Sequence, residues 1–147
     1  MKYEDFLAHV AQKAGLERAR SAAATQAVLS AVGESLSEKE ARDLASQLPR
    51  ELKVVLENVP GHGRRRPARE FVELVGERES VPEQEARIHT QAVLSTLREA
   101  VDRGEMRDVI SELWLDPEYA ELWAPPSVSL RSGPAEGPES ARAAEEA

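Results

Sequence analysis

Apolar residues recur at helical spacing through most of the chain. Phe6, Leu7 and Val10 lie on one side of a helical turn pattern and predict a first helix over residues 3–14. A longer apolar stripe predicts a second helix over residues 18–36. The stripe consists of Ala24, Ala27, Val28, Ala31, Val32 and Leu36.

The same pattern returns later in the chain. Residues 25–30 read TQAVLS, and residues 90–95 repeat these six letters at an offset of 65. About a third of the residue pairs related by this offset are identical, which indicates an internal duplication. The offset predicts a helix over residues 68–79 and a longer one that begins at a capping sequence, Ser80 to Glu83.

Two further capping sequences mark the starts of later helices. Ser37 stands three residues before Glu40, and Asp102 stands three residues before Glu105. Each pair offers an oxygen that caps a helix and a carboxylate in the first turn. We therefore predict a third helix in each copy, followed by a short fourth helix near a proline.

These elements predict an all-α fold made by tandem duplication of a four-helix unit. Unit 1 spans residues 1–57 and unit 2 spans residues 67–123, with a Gly/Arg-rich linker at residues 58–66. We expect two pseudo-symmetric helical bundles. Residues 124–147 are rich in Pro, Gly, Ser, Ala and Glu, so we expect a disordered C-terminal tail.

The repeated segments resemble a known family. They read YEDFLAHVAQKAGL at residues 3–16, ATQAVLSAVGESLS at residues 24–37 and EARDLASQLP at residues 40–49. With their repetition, they are similar to the bacterial proteins grouped as domain of unknown function 2267. The resemblance covers residues 1–123 and implies an all-α fold, but it brings no catalytic or binding residue to transfer. The chain departs from the family pattern at Trp114, where a Leu-Pro turn is expected.

Composition limits the classes of function. The chain has no cysteine, which excludes disulfides, thiolate metal sites and cysteine nucleophiles. Its net charge of −8 disfavours general binding to nucleic acid. The first ten residues carry charges where a signal peptide needs an apolar run, and no run of about 18 apolar residues follows. We expect a cytoplasmic protein that does not enter a membrane.

The charge is divided unevenly between the copies. Residues 1–66 carry a net charge of +2, whereas residues 67–123 carry −8. Two uses of this asymmetry are open. The linker arginines would clamp carboxylates of unit 2 such as Glu70, Glu73 and Glu77, or the acidic face would meet a basic partner.

Histidines and carboxylates give little sign of a catalytic or metal site. His9, His62 and His89 are scattered and lack metal-ligand spacing, although His89 is the best functional candidate among them. Glu34 and Glu40 look like solvent-facing or capping positions. We therefore expect no catalytic residue, no metal and no cofactor.

Two local features are candidates for binding. His62, Arg64, Arg65 and Arg66 lie together on a glycine-flanked loop and form a hypothetical site for a phosphate or an acidic segment. The other interpretation is a soluble linker. Trp114 has no counterpart in unit 1, so it either covers the core or is exposed as an anchor for a partner.

The sequence favours a non-catalytic helical binding or regulatory module whose partner is an unidentified protein. One alternative is binding of nucleic acid or phosphate through Arg64, Arg65 and Arg66, with nucleic acid disfavoured by the net charge. The other is an enzyme with a site between the repeats near His89.

Overall fold

The protein is helical throughout the part of the chain that the structure describes. This structure is a computed structural model, and it describes residues 1–127. These residues form eight helices and no strand: α1 (Tyr3–Ala14), α2 (Arg18–Ser35), α3 (Glu38–Ala45), α4 (Arg50–Glu57), α5 (Ala68–Glu79), α6 (Glu83–Ala100), α7 (Arg103–Leu113) and α8 (Tyr119–Leu122). The predicted all-α fold is confirmed.

The helix starts recur with the period of the sequence repeat. Helices α5, α6 and α7 each begin 65 residues after α1, α2 and α3, and α5 and α6 have the lengths of α1 and α2. Residues paired by this offset are buried together, as predicted for Phe6 with Phe71 and for Val28 with Val93. This repetition of helix starts and buried positions is what a duplication predicts.

The long helices α2 and α6 lie at the centre of the molecule and contact each other. Helix α1 packs against both of them, and α5 does the same. The C-terminal half of α2 is buried on more than one face, since Val28, Leu29 and Ala31 are all inaccessible. One hydrophobic core therefore runs through both units. The two expected bundles share this core, because each central helix contacts helices of both units.

The capping predictions succeed at two sites and fail at a third. Ser37 Oγ and Asp102 Oδ1 accept the N–H groups of Glu40 and Glu105 at 3.2 and 2.9 Å, as predicted. Ser80 does not cap α6. It ends α5 with a left-handed backbone, φ 60°, and Pro82 precedes α6 without a side-chain cap.

The fourth helices of the two units pack differently. A Cβ on Gly33 of α2 would lie 2.5 Å from the carbonyl oxygen of Leu56, so α4 approaches α2 at a distance that only glycine permits. The offset of 65 places Arg98 at the matching position of α6. Its Nη1 donates to the carbonyl of Trp123 at 3.2 Å. An arginine at this position prevents the same close approach.

The segment after α8 is described only as far as residue 127. Trp123 is buried as predicted, and Pro126 is also buried. Residues 128–147, most of the predicted disordered tail, lie outside the described residues. None of the helices in residues 1–127 combines the length and apolar composition that a bilayer crossing requires.

Candidate binding groove

The linker is attached to the C-terminal end of α2. His62 Nδ1 lies 2.8 Å from the carbonyl oxygen of Gly33. The backbone N–H groups of Gly63 and Arg64 donate to the carbonyls of Leu36 and Glu34, both at 2.8 Å. Carbonyls at a helix C-terminus lack partners within the helix. The linker supplies partners there, so it is a structural element of the fold.

Arg66 closes a buried ion-pair cluster around Glu34. The two oxygens of Glu34 contact Arg66 Nη2 at 3.3 Å and Arg78 Nη2 at 2.6 Å. The side chain of Glu34 is only 9% exposed, so the prediction that Glu34 faces solvent is wrong. Its cationic partners come from distant parts of the chain, which hydrophobic patterning does not reveal. The linker thus holds a carboxylate of unit 1, whereas Glu73 of α5 pairs with Arg69.

Arg65 of the linker contacts Trp114, the other residue that the sequence suggested for binding. Its Nη2 donates to the carbonyl oxygen of Trp114 at 3.1 Å. His62, Arg65 and Arg66 all use side-chain nitrogen atoms in contacts within the molecule. Arg64 lines a cavity of about 300 Å³ together with His62 and Glu34. Anion binding by these linker residues stays a prediction.

The other histidines form two separate pairs with glutamates. His89 Nδ1 lies 2.8 Å from Glu79 Oε1, with side-chain exposures of 4% and 5%, and His9 Nδ1 lies 3.1 Å from Glu99 Oε1 at the surface. His89 and Glu99 are ten residues apart on α6, which corresponds to about 15 Å. The two pairs therefore do not share a site. An enzyme site near His89 stays a prediction.

A groove of about 850 Å³ lies along α7. One helical face of α7 forms most of its wall, and the end of α6 contributes an arginine. The lining residues are Arg98, Arg103, Met106, Arg107, Ile110, Ser111 and Trp114. Their spacing from residue 103 to residue 114 follows successive turns of one helix face. The volume falls within the range of ligand-binding clefts.

The groove combines an apolar floor with exposed cations. Met106 is buried, Ile110 is half-buried and Trp114 is 40% exposed. Arg103 and Arg107 are exposed, and neither forms an ion pair with a residue in the described part of the chain. Arginine forms paired hydrogen bonds with carboxylates and also stacks on aromatic rings. This surface suits a ligand that is both anionic and partly apolar.

Unit 1 has a smaller and less basic cavity at the offset of 65, where Arg42 corresponds to Arg107. Glu38 and Ala41 stand there in place of Arg103 and Met106. The corresponding cavity measures only about 250 Å³ and is bounded by Glu57 of α4 and by His62 of the linker. The basic groove therefore belongs to unit 2, although unit 2 carries the larger negative charge.

Of the groove residues, only Trp114 was predicted from the sequence as a candidate for binding. The arginines of the groove were not predicted. Trp114 is exposed, and its role as an anchor for a partner stays a prediction. Arg98, Arg103 and Arg107 are 4 or 5 residues apart and do not form a continuous basic run. The signal is present in the helical spacing, which places Arg103, Arg107 and Trp114 on one face of α7.

Comparisons with known proteins identify a family. No curated protein matches the chain. The family model described as "Uncharacterized conserved protein (DUF2267)" matches residues 3–122. This match includes all eight helices of the described part, with both units and the linker between them. The chain therefore belongs to the DUF2267 family.

Proposed function

We propose that the protein is a non-catalytic binding module and that the groove along α7 binds an acidic segment of a protein partner. The exposed Trp114 beside exposed arginines, over an apolar floor, is the observation that carries this proposal. The segment presents one or more carboxylates and an apolar side chain. The cytoplasm is the proposed location, since a fold without disulfides tolerates a reducing compartment.

The charges of the groove support an anionic ligand. Arg103 and Arg107 are one turn apart on α7, so their guanidinium groups are able to bind neighbouring carboxylates of one chain. Trp114 offers a large rigid surface to an apolar or aromatic side chain. Tryptophan and arginine are the residue types that most often dominate binding energy at protein interfaces.

The shape of the groove supports a peptide segment over nucleic acid. From residue 103 to residue 114 the lining face extends about 16 Å along α7, which is the length of about five extended residues. The surrounding surface of unit 2 is acidic and would repel a long polyanion. A short acidic segment is able to bind Arg103 and Arg107 without contacting that acidic surface.

A selection from a random peptide library tests the proposal while the partner is unidentified. Peptides displayed on phage are selected on the immobilised protein and then tested on the variant Arg103→Glu/Arg107→Glu. Arg50→Glu is the matched control, because Arg50 is also exposed, in the first turn of α4. We expect enriched peptides to be rich in Asp and Glu with an aromatic or aliphatic residue.

The outcomes separate the candidate ligands. Retention of the selected peptides by the groove variant, or enrichment of basic peptides, would contradict the proposal. A labelled single-stranded oligonucleotide tests the nucleic-acid alternative by anisotropy at two salt concentrations. Salt-sensitive binding of the oligonucleotide that survives Arg103→Glu/Arg107→Glu but is lost in Arg64→Ala/Arg65→Ala would favour the linker instead.

A further inference from the structure

Three carboxylates from both units meet where α3 and α7 pack together. Glu40 and Asp43 belong to α3, and Glu105 belongs to α7. One oxygen atom of each lies within 4.8 Å of the other two. Glu40 and Glu105 are related by the offset of 65, so the same position of each unit contributes to this carboxylate cluster. None of its members belongs to the groove along α7.

Glu40 and Glu105 do not accept the N–H groups of the capping residues, because residues of the other unit accept them instead. In a complete capping box the glutamate would accept the N–H of the capping residue. Here the N–H of Ser37 donates to Glu112 Oε1 at 2.9 Å, and the N–H of Asp102 donates to Gln47 Oε1 at 3.0 Å. Neither Glu40 nor Glu105 is needed as a cap acceptor.

A buried carboxylate oxygen in this cluster lacks a basic, amide or alcohol donor among the described residues. Glu40 is only 8% exposed. Its Oε2 is buried and accepts no hydrogen bond from a basic, amide or alcohol group of the described residues, and the same holds for Oε2 of Glu105. An unpaired buried carboxylate is costly unless a proton, a hydrogen-bond donor or a cation satisfies it. This observation is separate from the clustering of acidic residues and points to a ligand.

We propose that Glu40, Asp43 and Glu105 bind one hard divalent cation between the two units. Three oxygens that lie within 4.8 Å of one another fit around a centre that is no more than about 2.8 Å from each. This radius needs only a small contraction to reach the distances of about 2.3–2.6 Å found for Ca²⁺. The donors are all carboxylate oxygens, which suit Ca²⁺, Mg²⁺ or Mn²⁺ and disfavour metals that prefer sulfur.

The charges around the cluster support a cation. Burial, a hydrogen bond with Glu40 and the nearby charges of Asp43 and Asp108 raise the pKa of Glu105 to about 8. Without a cation, Glu105 therefore holds a proton that it shares with Glu40, and a bound cation would displace this proton. Lys39 Nζ pairs with Asp43 Oδ2 at 2.9 Å, and the Lys39 side chain is largely exposed. A divalent ion would neutralise the buried Glu40 and the half-buried Glu105, and Lys39 forms an ion pair with neither of them.

Calorimetric titration tests the site on the full-length protein after treatment with a chelator. CaCl₂, MgCl₂ and MnCl₂ are titrated separately at near-neutral pH. We expect one ion per chain for at least one of them, with a Kd of about 1 mM or tighter. Glu105→Gln and Asp43→Asn should each weaken binding by at least about tenfold. Glu77→Gln, at an exposed position of α5, is the matched control and should leave the Kd unchanged.

Two further measurements make the test independent of any one variant. The bound ion should raise the melting temperature of the unmodified protein and not that of Glu105→Gln. Mn²⁺ should broaden amide resonances at the starts of α3 and α7 before those of α5. No binding of any of the three ions up to about 10 mM, or binding that both cluster variants leave unchanged, would overturn the proposal.

Discussion

The backbone N–H of Ser37 donates to Oε1 of Glu112, a residue of the other unit, at 2.9 Å. Ser37 Oγ also donates to the second oxygen of the same carboxylate at 3.1 Å. The arrangement is repeated with the units exchanged, because Asp102 N–H donates to Oε1 of Gln47. Gln47 and Glu112 are themselves related by the offset of 65. Each unit thus completes the helix cap of the other.

Removal of the Glu112 side chain tests this exchange. Glu112→Ala should lower the free energy of unfolding by about 1 kcal/mol, because the N–H of Ser37 loses its acceptor at the start of α3. Gln47→Ala should have a similar effect at the start of α7. Urea denaturation measures both. Glu77→Ala removes an exposed glutamate of α5 and should change stability less; an equal loss would show that the cap is not responsible.

Glu34→Gln should be strongly destabilising. The substitution leaves Arg66 and Arg78 without their negative partner, and the side chain of Arg66 is only 12% exposed. Loss of one member of a buried ion pair typically costs about 3–5 kcal/mol. Denaturant unfolding measures the change. Because the contact is buried, added salt should reduce the effect little.

The pair of Glu4 with Arg18 provides a control at the same distance. Arg18 Nη2 lies 2.6 Å from Glu4 Oε2, equal to the distance from Arg78 to Glu34, but the Glu4 side chain is 64% exposed. Glu4→Gln should change stability little, since solvent screens an exposed pair. Equal effects of the two substitutions would show that burial does not determine the strength of these ion pairs.

Local patterns predict most of the fold. Spacing of apolar residues identifies the helices, and the capping residues Ser37 and Asp102 mark the starts of α3 and α7 as observed. These features are predictable because they depend on residues within one helical turn. Pairing of the two units in one core was not predicted, because the burial of more than one face of α2 depends on which helices surround it.

The polar contacts are much harder to predict. Glu34 and Glu40 have the sequence context of solvent-facing or capping residues, yet both are buried. The partners of Glu34 are 32 and 44 residues away, and Glu40 meets its counterpart Glu105. The groove was missed for a similar reason. Its cations are separated along α7 and become a binding surface only when the helix places them beside Trp114.

Gly33 should not tolerate a side chain. A Cβ at this position would lie 2.5 Å from the carbonyl oxygen of Leu56, and this backbone atom has no freedom to move aside. Gly33→Ala should cost about 1–3 kcal/mol or more by forcing α4 away from α2. Gly61→Ala is the control, because a Cβ added there would have nothing within 4 Å. Thermal unfolding distinguishes them, and equal melting temperatures would contradict the packing.

Substitution of Trp114 should affect peptide binding, whereas substitution of Trp123 should affect stability. Trp114→Ala removes a 40% exposed side chain from the groove. It should change the free energy of unfolding by no more than about 0.5 kcal/mol. It should also abolish binding of the selected acidic peptides. Trp123→Ala removes a side chain that is 3% exposed and should cost about 3–5 kcal/mol. Urea unfolding and peptide anisotropy measure the two effects. A large loss of stability in Trp114→Ala would mean that Trp114 belongs to the core.

Stability should fall as the pH rises towards 8 in the presence of a chelator. Burial and the neighbouring Glu40 raise the pKa of Glu105 from 4.5 to about 8. The folded protein therefore retains a proton that the unfolded chain releases near pH 4.5. The stabilisation is fully present below the unfolded pKa and is lost as the pH passes through the folded pKa. Glu105→Gln stays neutral, so its stability relative to the unsubstituted protein should increase from about pH 5 to about pH 9.

Glu99→Gln should show the opposite pH trend and serves as the control. Burial raises the pKa of Glu99, but hydrogen bonds from Lys13 and His9 outweigh this effect and hold it below its ordinary value. The Glu99 carboxylate therefore stabilises the folded state above the unfolded pKa, and this stabilisation is lost as the pH falls through the folded pKa. Glu99→Gln should cost most near neutral pH and least in acid. Urea unfolding across the pH range compares both variants. A difference between Glu105→Gln and the unsubstituted protein that does not vary with pH would show that Glu105 holds no proton at neutral pH.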